Sequence, residues 1–354
     1  MSHDDREERP VRVPGDGSGV HRPGPLAVAQ VEACGDLFVA LSVSDQVVAV
    51  DVSTGRVTDR ISVGWAPRNL TAVPETPYLL VANAGCDSVS VVDTGKRRET
   101  ARLRVGREPG AIAVSQDGSI AVVCERGAGS VVILDLTTLG EGRPGRMSVA
   151  SRTLLGVHAQ PRAASFAGPH VLIAAARLNA MPVLAVADGH VDAMVALTQT
   201  GLAPAGISVT GEHGYAVVTL ERAGTRAVVD LLEWTITRQI PLGAGPRGIT
   251  VDPDDQSVYC ALAQQRSLAV IHLDGVDLST TDGHPQFESL PAGVRPTAVT
   301  IALAHEPQPE PGPATPPHPT PEHQAPGRPC GDRRPGPCCC CRVGEAVAPW
   351  APPA

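Results

Sequence analysis

The sequence predicts an all-β protein, a β-propeller of four-stranded blades, and three observations carry that prediction. A proline recurs with similar neighbours at Pro25, Pro67, Pro109, Pro161, Pro204, Pro246 and Pro296, at spacings of 42, 42, 52, 43, 42 and 50 residues. Every interval repeats one succession of short apolar runs rich in β-branched residues, divided by Gly, Asp and Asn turns. That is the pattern of strand meanders, not of helices. Finally, a unit of about 42 residues that holds four strands cannot bury its own faces, whereas a ring of such units can.

Within each period the elements fall in a fixed order. The first strand follows the proline, as in Ala111-Ile112-Ala113-Val114. A turn such as Gln116-Asp117-Gly118 leads to a second strand, Ile120 to Val123. A polar loop leads to a third, Val131 to Asp135. The second period repeats this with 79–83 and 88–93, and the sixth with 248–251, 257–261 and 267–271. A fourth strand alternates apolar and polar residues, as at 58–63, 100–105 and 235–240, and this suits a wetted outer edge. The two long intervals carry insertions, one at Thr137 to Arg146 and one at Asp274 to Pro285.

Six periods are complete, from Pro25 to about Ala292. A seventh begins at Pro296 with the run 297–303 and then stops, so the expected ring has six complete blades plus one strand of a seventh. The alternative is an incomplete or closed seven-bladed ring, to which Val11-Arg12-Val13 would add an outer strand. The expected organisation is a disordered N-terminal segment (1–20), the propeller (21–303) and a disordered Pro/Cys-rich tail (304–354). The tail holds fifteen prolines and no strand pattern.

The run Val63-Gly64-x-x-Pro67, its counterpart Val105-Gly106-x-x-Pro109, and the strands Val81-Ala82-Asn83 and 89–93 resemble the YVTN-type propeller repeats, often labelled lactonase-like. The resemblance covers roughly residues 25–303 and is weaker in the fourth period, where Phe166-Ala167-Gly168 replaces the usual turn. It implies a propeller, usually of seven blades. It leaves the function open, because one fold hosts many chemistries.

The formal charge of −8 argues against a general nucleic-acid binder. The N-terminal ten residues contain no apolar signal core, and the most apolar long stretch, 171–187, is broken by Arg177, Asn179 and Pro182. The expectation is a soluble cytoplasmic protein without a membrane or nucleic-acid partner. Aromatic residues are only 3%, so Val, Ala, Leu and Ile must fill the core. Cys34, Cys86, Cys124 and Cys260 are expected as free thiols. The tail cysteines, Cys330 and Cys338 to Cys341, lack the C-x-x-C spacing of a structural zinc site, so no metal site is expected.

The up-down order of a meander places the entry loop before the first strand and the loop between strands two and three on one face. Arginines gather there. Arg68, Arg162 and Arg247 each follow the repeat proline directly, with Arg22, Arg107 and Arg295 nearby. Arg126, Arg177, Arg222, Arg226 and Arg266 fall in the second-to-third loops. Guanidinium forks suit carboxylates and phosphates. The functional reading is a mouth that binds a small anionic molecule, or a protein partner, through Arg68, Arg162, Arg247, Asn69, Arg126, Arg177, Arg222 and Arg266. The competing reading is polar loop surface, with arginines paired to Glu108, Glu125 and Glu221.

A second functional reading is a lactone hydrolase or lyase. His158, Glu108 and Glu125 would supply acid–base chemistry, and an arginine would steady the developing oxyanion. The aspartates Asp51, Asp93, Asp135 and Asp188 read instead as turn caps on the opposite face. The chain contains no phosphate-binding Gly loop, nucleophile elbow or HExxH motif, so the cofactor is left open.

Overall fold

The computed structural model describes residues 27–30, 36–211, 214–252, 254–273 and 287–291. They form six antiparallel four-stranded sheets, each in simple meander order. Blade 1 holds β1 (Ala27–Gln30), β2 (Asp36–Leu41), β3 (Gln46–Asp51) and β4 (Val57–Ser62). Blade 2 holds β5 (Pro67–Ala72), β6 (Tyr78–Asn83), β7 (Ser88–Asp93) and β8 (Arg98–Arg104). Blade 3 holds β9 (Pro109–Val114), β10 (Ile120–Glu125), β11 (Ser130–Asp135) and β12 (Ser148–Leu154). Blade 4 holds β13 (Pro161–Ala167), β14 (His170–Ala175), β15 (Met181–Ala187) and β16 (His190–Thr198). Blade 5 holds β17 (Pro204–Val209), β18 (Tyr215–Leu220), β19 (Thr225–Asp230) and β20 (Ile236–Pro241). Blade 6 holds β21 (Pro246–Val251), β22 (Ser257–Leu262), β23 (Ser267–His272) and β24 (Phe287–Pro291).

The blades stand in a ring, a six-bladed propeller, and each recurring proline from Pro67 to Pro246 opens an innermost strand. The insertion at Thr137 to Arg146 folds into a short helix, α1 (Thr137–Gly140), and a 3-10 turn at Pro144–Arg146 between β11 and β12. No helix among the described residues is long and apolar enough to cross a membrane.

Strand alternation gives every blade two apolar faces, one for each neighbour. In blade 2, Leu79, Val81 and Val92 pack with Phe38, Ala40, Val47 and Ala49 of blade 1. The alternate residues Tyr78, Leu80, Ala82, Val89 and Val91 pack with Ala121, Val123, Val132 and Leu134 of blade 3. Separate clusters fill the junctions of blades 3 and 4, 4 and 5, and 5 and 6. Val, Ala, Leu and Ile dominate all of them, as the scarcity of aromatic residues requires.

The innermost strands pack on one another in series from β1 through β5, β9, β13 and β17 to β21. The ends of the series, β1 and β21, do not pack on each other in this way. The face of blade 1 turned from blade 2 carries the buried Val39, Val48 and Val50, whose cluster among the described residues lies within that blade. The expected seventh inner strand at 297–303, the outer strand at 11–13, the segment 1–20 and the tail from 304 lie outside the described residues.

A hydrogen-bond relay joins the blades on the face of the entry loops. The last residue of each second-to-third hairpin is left-handed: Asp45, Asp87, Gly129, Asn179, Gly224 and Arg266, with φ between 52° and 69°. The residue before each repeat proline is left-handed too, at Ala66, Glu108, Gln160, Ala203 and Gly245. The Ala66 N–H donates to the Asp45 side chain at 2.8 Å, Glu108 N–H to Asp87 at 3.0 Å and Ala203 N–H to Asn179 at 3.0 Å. The carbonyl of each pre-proline residue then accepts from the hairpin of its own blade, from Ala84, Arg126, Ala176, Glu221 and Ala263 N–H. In blade 3 the hairpin position is Gly129, because a Cβ there would lie 2.0 Å from the Gly156 carbonyl oxygen.

Asp87→Ala is expected to cost about 1–2 kcal/mol, from the lost acceptor and from alanine's poorer tolerance of the left-handed conformation than aspartate's. Asp87→Asn, which copies Asn179, should remain within about 0.5 kcal/mol of wild type; urea unfolding of both variants checks the order. Removing residues 306–354 should leave the melting temperature almost unchanged, whereas cutting back to residue 294 should lower it by many degrees. Equal melting of the two truncations would exclude a closing strand at 297–303.

Candidate functional site: the arginine rim of the mouth

The entry face is built on a bulge. In β5 the pairing with β6 slips between Pro67 and Asn69, so Arg68 stands outside the ladder. The same slip occurs between Pro161 and Ala163 in β13, between Pro204 and Gly206 in β17, and between Pro246 and Ile249 in β21. A bulged residue loses its ladder partner and its side chain is re-aimed. Arg68, Arg162 and Arg247 therefore occupy equivalent bulges in blades 2, 4 and 6.

Blades 3 and 5 carry small residues at this point, Gly110 and Ala205. There the first hairpin residue after the second strand is large instead: Arg126 in blade 3 and Glu221 in blade 5. In blades 2, 4 and 6 that residue is Ala84, Ala176 or Ala263. A Cβ on Gly110 would lie 2.8 Å from the Arg126 Cδ, so the Arg126 side chain crosses the space that an arginine on the bulge would need. Each blade from 2 to 6 thus contributes one large rim side chain, in the order Arg68, Arg126, Arg162, Glu221, Arg247.

These side chains meet. The Glu221 carboxylate pairs with Arg162 of blade 4, and it accepts from Arg247 Nε of blade 6 at 2.8 Å. Burial raises the Glu221 carboxyl, but the hydrogen bonds and charges of Arg162 and Arg247 outweigh it and hold the group below its ordinary value. Burial, followed by repulsion from Arg68 and Arg162 and a smaller repulsion from Arg247, pushes the Arg126 guanidinium down against a weaker pull from Glu108. Among the described residues neither Arg68 nor Arg126 makes an ion pair, and Nε of both Arg126 and Arg162 is buried without an acceptor. Four guanidinium groups and the Glu221 carboxylate make up the rim, with Glu108 acting on Arg126 from the entry loop, which leaves an excess of positive charge in an acidic protein. A cleft of about 790 Å³ opens beside it, lined by Arg162, Glu221, Arg222, Gly224, Pro241 and Gln264.

The remaining candidates are placed elsewhere or differently. Asn69 lies on β5, where its Oδ1 accepts from Ile112 N–H of β9 at 3.0 Å and ties two inner strands together. Glu108 is exposed in the entry loop of blade 3, and its backbone belongs to the relay. Glu125 is fully buried and accepts from Gly106 N–H, the Ser130 hydroxyl and Arg152, away from the rim. His158 is exposed in the entry loop of blade 4. Arg177, Arg222 and Arg266 are exposed on the hairpins, with Arg222 on the cleft wall. Arg226, read from the sequence as a loop residue, is instead 1% exposed inside β19. Arg22 and Arg295 lie outside the described residues.

On the opposite face Asp51, Asp93 and Asp135 accept from the turns that follow them, as expected of caps. Cys86, Cys124 and Cys260 are free thiols, and burial pushes the last two up to about 12. The described residues contain no cluster of side chains able to hold a metal ion. Cys34 and the tail cysteines lie outside them.

No protein-family model matches the chain, and no curated protein matches it. Several solved structures are similar. Hydrazine synthase of Kuenenia stuttgartiensis aligns with a TM-score of 0.68 at 19% identity, over 82% of this chain and 93% of that one. A protein of Bacteroides fragilis NCTC 9343, provisionally named a 6-phosphogluconolactonase, aligns at 0.67 and 12% identity over 79% and 88%. A protein of Bacteroides uniformis with the same provisional name aligns at 0.65 and 14% identity over 78% and 88%. The likeness is one of fold. Lactonase-like propellers are among the structural relatives, and at such identities the function must be read from the rim itself.

Proposed function

We propose that this propeller binds a small anionic molecule at its mouth, through the rim formed by Arg68, Arg126, Arg162 and Arg247. The observation that carries the reading is the Arg126 guanidinium, held among three other arginines with no ion pair of its own. Such like charges are tolerated where an anion balances them. Arginine forks favour a phosphate or carboxylate. The provisional names of the Bacteroides propellers suggest a phosphorylated sugar acid or its lactone as a ligand class to test. Lactone hydrolysis is the second reading: Glu108, whose charge acts on Arg126, and His158 are the exposed groups of the entry face that would carry the proton transfers.

Phosphate, citrate or 6-phosphogluconate should raise the melting temperature with concentration, by an amount equivalent to about 2.7 kcal/mol at a hundredfold excess over Kd. Arg126→Gln should weaken that effect about tenfold, the loss of one charge-assisted contact. Glu221→Gln should strengthen it, because it removes the carboxylate that pairs with Arg162 and Arg247. No stabilisation of the wild type, or an equal response in Arg126→Gln, would overturn the binding reading. Hydrolysis of a lactone panel that survives both Glu108→Gln and His158→Asn would overturn the assignment of those two residues.

A further inference from the structure

Arg226 heads the fully buried side chains by size, at 1% exposure. It lies on β19 opposite Thr219, in the row that holds Val217 and Val228, and these two pack against blade 6. Its side chain therefore points into the junction of blades 5 and 6. Both Nη1 and Nη2 are buried without an acceptor. Among the described residues no carboxylate is seen to act on it: the groups that influence it are the Cys260 thiol and a second arginine, Arg238. That thiol is itself pushed up to about 12 by burial and is neutral at physiological pH. Burial pushes the Arg226 guanidinium down to about 10, which still leaves it charged at neutral pH. An uncompensated charge in a protein interior is among the most costly arrangements known.

A second polar group in the same junction lacks a partner. Ser267 on β23 pairs with Leu262 and lies two residues from Ala269, and both neighbours belong to the cluster facing blade 5. Its hydroxyl is buried without a hydrogen bond. The open cleft of about 790 Å³ sits at the rim of this junction, walled by Gly224 and Pro241 of blade 5 and by Gln264 of blade 6. Gly224 lies two residues before Arg226, and Pro241 follows Ile240, the cross-strand partner of Arg226.

We propose that the junction of blades 5 and 6 holds a small carboxylate anion on the Nη1/Nη2 fork of Arg226, with the Ser267 hydroxyl as a further donor and the cleft above as the way in. A free guanidinium edge presents two parallel donors, and a planar carboxylate matches them bidentately. The fork of Arg226 is not one of the rim guanidinium groups, although Arg162 and Glu221 of the rim share the wall of the cleft. No bond is made or broken; the anion balances the charge and fixes the two blades against each other.

The test uses the full-length chain at constant ionic strength, with the bulky sulfonate MES replaced stepwise by formate. Wild-type melting temperature is expected to rise with formate and to saturate. Arg226→Met, added to the rim variant Arg68→Gln/Arg126→Gln/Arg162→Gln/Arg247→Gln so that no rim arginine answers formate, should match or exceed that variant in the formate-free buffer and lose its formate response. Ser267→Ala should keep the response but need several-fold more formate. The rim variant alone should keep a saturable formate response, the share due to Arg226, and this arm holds even if Arg226→Met fails to fold. A formate response that is absent in the rim variant, or retained when Arg226→Met is added to it, would overturn the proposal.

Discussion

The structure depends on a pair of left-handed residues repeated around the entry face. One closes each hairpin between the second and third strands, and one precedes each repeat proline. Non-glycine residues enter this conformation at a cost of roughly 1–2 kcal/mol each, and here Asp45, Ala66, Asp87, Glu108, Gln160, Asn179 and Ala203 all adopt it. The hydrogen bonds that run from one hairpin through the connector to the next hairpin offset that cost. The same geometry throws the residue after the proline out of the ladder. Blade packing and the aim of the rim side chains therefore have one origin.

That origin explains why the mouth carries one large side chain per blade in blades 2 to 6. The bulge and the first hairpin residue compete for one volume at the inner rim. Arginine on the bulge requires alanine on the hairpin, as at Arg68 with Ala84, Arg162 with Ala176, and Arg247 with Ala263. Glycine or alanine on the bulge admits Arg126 or Glu221 from the hairpin. The positive excess of the rim follows from which residue each blade places there, not from the composition of the protein, which is acidic.

The repeat, the order of its four strands and the face shared by entry loops and hairpins were all legible in the sequence, since proline spacing and strand alternation report directly on backbone geometry. So was the equivalence of Arg68, Arg162 and Arg247, which follow prolines in register. Arg126 and Glu221 were visible only as loop residues, although an alignment of the repeats against Gly110 and Ala205 shows the exchange of large for small. The latch role of Asp45, Asp87 and Asn179 was hidden because it joins different blades, some 21 to 24 residues along the chain. Glu125 resembled an acid–base candidate because burial cannot be read from one position. Arg226 was misplaced because its hairpin is short: β19 begins at Thr225, and the next residue already faces the neighbouring blade.

The central claim is that bulge and hairpin share one rim position per blade, and a double-mutant cycle at Gly110 and Arg126 tests it most directly. Gly110→Arg alone places two arginines in one volume and should be strongly destabilised in urea unfolding. Adding Arg126→Ala copies the arrangement of blades 2, 4 and 6 and should recover most of the loss, a coupling of about 1–3 kcal/mol. Additive effects of the two substitutions would contradict the account.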